Sequence, residues 1–449
     1  MYKKIIFLFF SGCISCGAFS QDLAQFKRLD SLITILESAN KLMGTLAVSQ
    51  HDSIIYSRSF GIAKMTPGGE NAKNNEETIF RIGSVSQIFT AAMILHLIEQ
   101  GQLKLTTPLS DFYPQLPNAN KITIADLLNQ HSGLSNFSDD STYAKWFTEP
   151  RTEDDMLAFF VLQRPNFRPG EKGGYSNTNY VLLGYILEKI TKKPYKEALA
   201  SMISEKAGLK STFQGAKINK EENEAQSYNF SDGVWRQGRE TDLSVTDGAG
   251  SIISTSKDLA RFITALFGYK LVSKQSLKDM RTIQGGFGMG LSQLSFYDYS
   301  LYGSIGTIDD FTSGVCYFPR EGISIAFTSN GLNIPANDFF IGVLSILFNK
   351  PYTMPIYTIS LTKEELQKFE GIYSCTLSSM PLKITIRNGR YNLTAQVSGQ
   401  EAFPLDIVNK SKFKFDPAGV IIEFPNSGTM AASFTLTQAG ANYTFNREH

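Results

Sequence analysis

The spacing of apolar positions changes character several times along this chain. Thr45 to Ser49 and Ile54 to Phe60 are rich in strand-forming residues and flank His51-Asp52-Ser53, which predicts a β-hairpin. From Ile88 to Ile98 the chain is apolar on nearly every face (Phe89, Ala91, Ala92, Met93, Ile94, Leu95, Leu97), the mark of a buried helix. Ile124 to Leu128, Tyr180 to Ile190 and Ser256 to Phe267 predict further helices, the last capped by Thr255 or Ser256. Strand patterns return at Ser313 to Phe318 and Ile323 to Ser329. Phe339 to Phe348 is as apolar as a membrane segment but far too short to span, and reads as a core helix packed on a sheet.

Asn349 to Leu361 carries Pro351 and Pro355 and reads as a linker. Beyond it Leu382 to Ile386 and Tyr391 to Ala395 alternate with period two around Asn388-Gly389, a hairpin signal. Alternation continues at Lys412 to Phe415, Val420 to Phe424, Ser433 to Thr437 and Asn442 to Phe445, which predicts a small antiparallel β domain, a meander or a barrel. The expected division is residues 1–20, 21–350, a linker at 351–362, and 363–449.

Residues 1–20 read as a secretory signal. Lys3 and Lys4 precede an apolar run from Ile5 to Phe10, and Ala18-Phe19-Ser20 is a small-x-small cleavage site before Gln21. This places the mature protein in the secreted or periplasmic space. Phe10-Ser11-Gly12-Cys13 resembles a lipobox, and the alternative is an envelope protein lipid-anchored at Cys13. Cys316 and Cys375 remain downstream and are read as buried thiols, with a disulfide as the alternative.

Of the 449 residues, 43 are Lys or Arg and 42 are Asp or Glu, giving a net charge of +1. That balance gives no support for a nucleic-acid partner. The four histidines and four cysteines fall in no metal-ligand spacing, so neither a metal nor a cofactor is expected.

Candidate chemistry centres on Ser84-Val85-Ser86-Gln87, just before the apolar helix. It resembles the Ser-x-x-Lys motif of serine β-lactamases and penicillin-binding proteins, with glutamine in place of lysine. Tyr175-Ser176-Asn177 resembles that family's Tyr-x-Asn motif. Leu127 to Leu134 and Gly248 to Thr255 resemble two further landmarks. The third motif, Lys-Thr-Gly or His-x-Gly, is matched by Ser304-Ile305-Gly306-Thr307, which keeps the glycine and loses the ionisable residue. The resemblance runs in order from about Met43 to Phe348.

The resemblance implies an α+β fold: an antiparallel sheet flanked by helices, an all-helical subdomain, and Ser84 in the cleft between them. It implies Ser84 as nucleophile and Tyr175 as its catalytic partner, with Gln87 at the place of the missing lysine. It further implies Asn177, Ser304, Gly306 and Thr307 as ligand-binding positions, and the backbone N–H groups of Ser84 and Thr307 as an oxyanion hole. The expected function is a hydrolase homologue with degraded motifs that binds small peptide-like or ester ligands with weak or no turnover. An amide cannot take the serine's proton.

Two alternatives stand beside it. One is an active esterase, D-Ala peptidase or β-lactamase using a substitute base: Asp309, Asp310, or Tyr175 with a lysine from a distant loop. The other is a non-catalytic envelope module whose β domain could engage a partner. Each residue also has a plainer reading. Ser84-x-x-Gln87 is a capping box in pattern, Tyr175 a cleft-wall aromatic, Asn177 a turn residue, and Ser304 and Thr307 edge-strand residues.

Overall fold

A computed structural model describes residues 23–448 apart from 67, 220, 232–233, 356–360, 378–379, 390–392 and 426–429. The signal and lipobox expectations, and part of the linker, lie outside the described residues.

The chain enters as helix α1 (Leu23–Ser38), which the sequence reading did not anticipate. Leu29, Leu32, Ile33 and Leu36 repeat at helical spacing and are buried, so the helix is held by one apolar face. Next come β1 (Leu42–Gln50) and β2 (Ser53–Phe60), the expected hairpin. The central sheet is completed by β3 (Ser292–Phe296), β4 (Tyr299–Ile308), β5 (Phe311–Phe318) and β6 (Ile323–Leu332). It is antiparallel in the order β3-β4-β5-β6-β1-β2. Alternation sends side chains to two cores. Ala47, Tyr302, Val315 and Ala326 face the core that holds α2 (Ser86–Glu99), α3 (Asn177–Thr191) and α4 (Ser256–Phe267). Leu46, Val48, Leu301, Cys316 and Ile325 face the core shared with α1 and α5 (Ala336–Leu347). The apolar run at 339–348 is therefore a core helix on the sheet, as expected.

Two cysteine readings are refined. Cys316 and Cys375 are both free, so the disulfide alternative is not realised. Burial pushes the Cys316 thiol up to about 12, whereas Cys375 is half-buried.

The C-terminal strands form a closed antiparallel barrel of β7 (Gly371–Leu377), β8 (Met380–Asn388), β9 (Leu393–Val397), β10 (Phe403–Ile407), β11 (Lys412–Phe415), β12 (Val420–Glu423), β13 (Ser433–Gln438) and β14 (Ala441–Arg447). Its interior is filled by Tyr373, Ile386, Leu405, Phe413, Phe434 and Phe445. That is the packing expected of a barrel this narrow. Leu361 and Leu366 join this core. Leu366 sits on the short helix Lys363–Gln367, which Thr362 and Glu365 close with a reciprocal capping box. Strands β7 and β10 were missing from the sequence reading. Among the described residues no helix is long and apolar enough to cross a membrane.

Candidate active site

Ser84 lies in a single 3₁₀ turn, Gly83–Val85, that feeds α2. Gly83 has φ +52°, and a Cβ there would lie 2.7–2.9 Å from backbone atoms of Thr307. Reciprocally, a Cβ on Gly306 would lie 2.6 Å from the backbone nitrogens of Ser84 and Val85. These two glycines let the turn and strand β4 touch backbone to backbone. The N–H groups of Ser84 and Thr307 are thus brought to one end of the cleft. Strand β3 pairs with β4 only as far as Ser292 opposite Gly303, so β4 is free of β3 from Ser304 onward.

The capping-box reading is not realised. Helix α2 starts at Ser86, its cap Val85 receives no side-chain hydrogen bond, and Gln87 turns inward instead. The buried Gln87 Nε2 donates to the Tyr175 hydroxyl at 2.7 Å and to Asn177 Oδ1 at 3.1 Å. With its two N–H bonds so used, the phenol has one proton to give. That proton goes either to Ser84 Oγ at 2.7 Å or to Asn177 Oδ1 at 2.8 Å. Ser84, Gln87, Tyr175 and Asn177 are therefore one hydrogen-bonded cluster, as their motifs imply.

Gln130, which the sequence reading placed in a landmark but gave no role, completes the cluster. Its Nε2 donates to Gln87 Oε1 at 3.3 Å. Its own oxygen accepts from Ser176 N at 3.0 Å and Asn179 Nδ2 at 2.6 Å. Both ends of Gln87 are thereby fixed by neutral partners. No local sequence signal marks it: Gln130 adopts φ +60°, and its side chain meets Gln87 only in the folded chain. Asn136 Oδ1 holds the backbone N–H of Asn177, and Ser86 Oγ accepts from Ile252 N, tying the second landmark to the same helix.

Ser84, Gln87, Gln130, Tyr175, Asn177, Ser304 and Thr307 line one cavity of about 1170 Å³, while Gly306 serves beneath it as the close-approach residue. Among the described residues no lysine, arginine or histidine lines the cavity; the lining carboxylates are Asp139 and Asp309. None of the described lysines reaches this lining from a distant loop. Ser304 is half-buried, and its hydroxyl donates to the Ile305 carbonyl at 3.3 Å. The Tyr175 pKa is raised: the side chain is 42% exposed to the cleft, but loss of water around its hydroxyl outweighs the hydrogen bonds it shares with Ser84 and Gln87, and the Asp139 charge adds to the rise.

Asp309 is not placed to serve as base. Its Oδ2 pairs with Arg81 at 3.2 Å, and its Oδ1 accepts from Thr241 N at 3.0 Å and Thr241 Oγ1 at 2.5 Å. Arg81 is buried and also binds Glu240 at 2.6 Å and the carbonyls of Thr241 and Ala216. Asp310 lies outside the cavity lining, against Gly238.

A serine at a helix start, a tyrosine hydroxyl on its oxygen and a strand whose edge is free across the cleft are the arrangement that the sequence resemblance implies. The chain belongs to the beta-lactamase family, whose sequence model matches residues 34–340. It is 26% identical over 446 residues to penicillin-binding protein 4* of Bacillus subtilis, covering 92% of this chain and 97% of that protein. The D-amino acid amidase of Ochrobactrum anthropi, solved with D-phenylalanine, superposes with a TM-score of 0.63 at 25% identity, over 72% of this chain and 99% of the other. An octameric penicillin-binding protein homologue from Pyrococcus abyssi shares the fold over 93% of this chain and 99% of its own, with TM-score 0.63 and 20% identity.

Proposed function

We propose that this protein is a secreted or periplasmic member of the family that binds neutral peptide-like or ester ligands at Ser84 and hydrolyses them weakly or not at all. The observation that carries the reading is the Gln87 amide, which donates to Tyr175 and Asn177 where the motif's lysine would stand. An amide nitrogen has no basic lone pair, so the Ser84 proton has only Tyr175 to go to. A tyrosine with an ordinary pKa is phenolate in roughly one molecule in a thousand at pH 7, and here the pKa lies higher still. The backbone donors at Ser84 and Thr307 do not depend on side chains and continue to polarise a carbonyl. What is lost is acid–base assistance, ordinarily worth about 10²–10⁴-fold.

Ligand charge follows from the same lining. Among the described lining residues no cation is present to pair with a ligand carboxylate, and a neutral ester or amide is preferred. The likeness to a D-amino acid amidase supports an amide or ester of a small acid.

The test is the intact mass of the protein after incubation with an activated neutral ester. A slow, substoichiometric adduct on Ser84 is expected. Rapid native turnover that Ser84→Ala abolishes would overturn the reading. Secretion is checked by sequencing the mature N-terminus, expected at Gln21; a lipid-modified Cys13 would replace that expectation.

A further inference from the structure

The cavity does not end at the nucleophile. Helices α1 and α5 share a core with one face of the sheet, and α5 flanks that face beside β3 and β4. Strand register puts Leu294, Leu301 and Ile305 together on that face, because Leu294 pairs with Leu301 and successive side chains alternate. Ile305 sits opposite Gly314, whose missing side chain is filled by the Phe340 ring, 2.3 Å from where a Cβ would stand. Phe340, Ile341 and Leu344 recur at helical spacing and present one side of α5 to the same groove. Leu294, Ile305 and Ile341 are 53%, 47% and 41% exposed, so three large apolar side chains are left in water on one patch. A patch of this kind on a soluble domain marks a binding surface. These residues line the same cavity as Ser84, and among the described residues the lining contributed by β3, α5 and this face of β4 carries no charged side chain. The two arms meet at the edge of β4 beyond the end of β3, where Ser304 faces the nucleophile's side and Ile305 the groove.

We propose that this groove receives an alkyl or acyl chain carried by the ligand whose carbonyl lies at Ser84, so that the cleft takes esters or amides with a long apolar tail. The inference rests on the reading of Ser84 as the carbonyl-binding end. The occupant is an uncharged chain because the arm offers apolar contact and no charge, and because it is continuous with the ligand cavity.

The test uses full-length Ser84→Ala protein, in which no covalent step can occur, titrated with butanamide, hexanamide, octanamide and decanamide. Affinity is expected to rise about two- to fourfold per added methylene, the upper figure corresponding to full burial of the group. Leu294→Lys and Ile305→Lys are surface changes, and each should flatten that dependence while thermal melts confirm the fold. Affinity independent of chain length would overturn the proposal. So would a concentration-dependent dimer that Leu294→Lys dissociates, because it would assign the patch to a second copy of the chain. Adduct formation on native Ser84 with alkyl fluorophosphonates is measured separately. Fast labelling would count against the weak-turnover reading and leave the groove standing.

Discussion

Two polar clusters lie three residues apart on the same two segments, and they differ in kind. Ser84 and Gly306 bound a neutral cluster of Gln87, Tyr175, Asn177 and Gln130, joined only by amide and hydroxyl hydrogen bonds. Arg81 and Asp309 belong to a charged cluster in which every ionic group already has a partner. The charge near the third motif is thus engaged in holding the end of β4 to the segment just before Ser84. The groups that touch the serine carry none. Nearness in sequence made Asp309 a candidate base; the direction of its hydrogen bonds removes it. The comparison teaches that ionisable residues count toward chemistry only when they are not already committed to structure.

The largest expected effect comes from putting charge into the neutral cluster. Gln87→Lys with Ser304→Lys should raise the rate of Ser84 acylation by an activated ester by about 10²-fold or more, followed as a mass shift over time. Tyr175 and Asn177 already present acceptors to an ammonium at position 87, and burial plus a second cation would lower its pKa toward the working range. Gln87→Lys alone should give less. No gain from either folded variant would break the comparison, since the neutral cluster would then not be what limits the reactivity of Ser84.

Removing charge from the other cluster should act on stability instead. Arg81→Met leaves buried Asp309 without its counter-charge and should cost about 3–5 kcal/mol in urea unfolding. Gln87→Met leaves only neutral groups unpaired and should cost about 1–3 kcal/mol. Equal losses would mean that the two clusters do not differ as described.

The neutral cluster should also leave a signature in pH. If Tyr175 is the only acceptor, labelling of native Ser84 should rise roughly tenfold per pH unit, with no plateau before pH 10, because its pKa is raised. Tyr175→Phe should flatten the profile. A plateau near neutrality in the native protein would reveal a base absent from this arrangement.

Much of this was legible from local pattern. The serine turn, the Tyr-x-Asn segment, helix α2 and the barrel's alternating strands all announce themselves over a few residues. Gln130 did not, because its role depends on a backbone turn that brings a side chain 43 positions away under Gln87. Helix α1 is legible in retrospect from the helical spacing of Leu29, Leu32, Ile33 and Leu36, all buried on one face. The capping-box reading of Ser84 and Gln87 failed for a tertiary reason: Tyr175 and Asn177 offer Gln87 better-placed partners than the helix N-terminus does.

Asp309→Asn should have the smallest effect and discriminates most sharply between the two clusters. In the folded chain burial raises the Asp309 pKa, opposed by the Thr241 hydrogen bonds and by Arg81. The folded state therefore holds this proton more tightly than the unfolded chain. Between the two pKa values the folded state binds more protons, so stability falls as pH rises through that window. Asparagine does not titrate. Below the unfolded carboxyl range, about pH 4, the variant and native proteins should differ only by the amide-for-acid exchange. Above it the native protein should lose stability that the variant keeps, narrowing any deficit of the variant to within about 1 kcal/mol at pH 7. Labelling of Ser84 should stay within about twofold of native, because Asp309 points at Arg81 and Thr241 rather than at the serine. A collapse of labelling in a variant with an unchanged melt would instead make Asp309 the base.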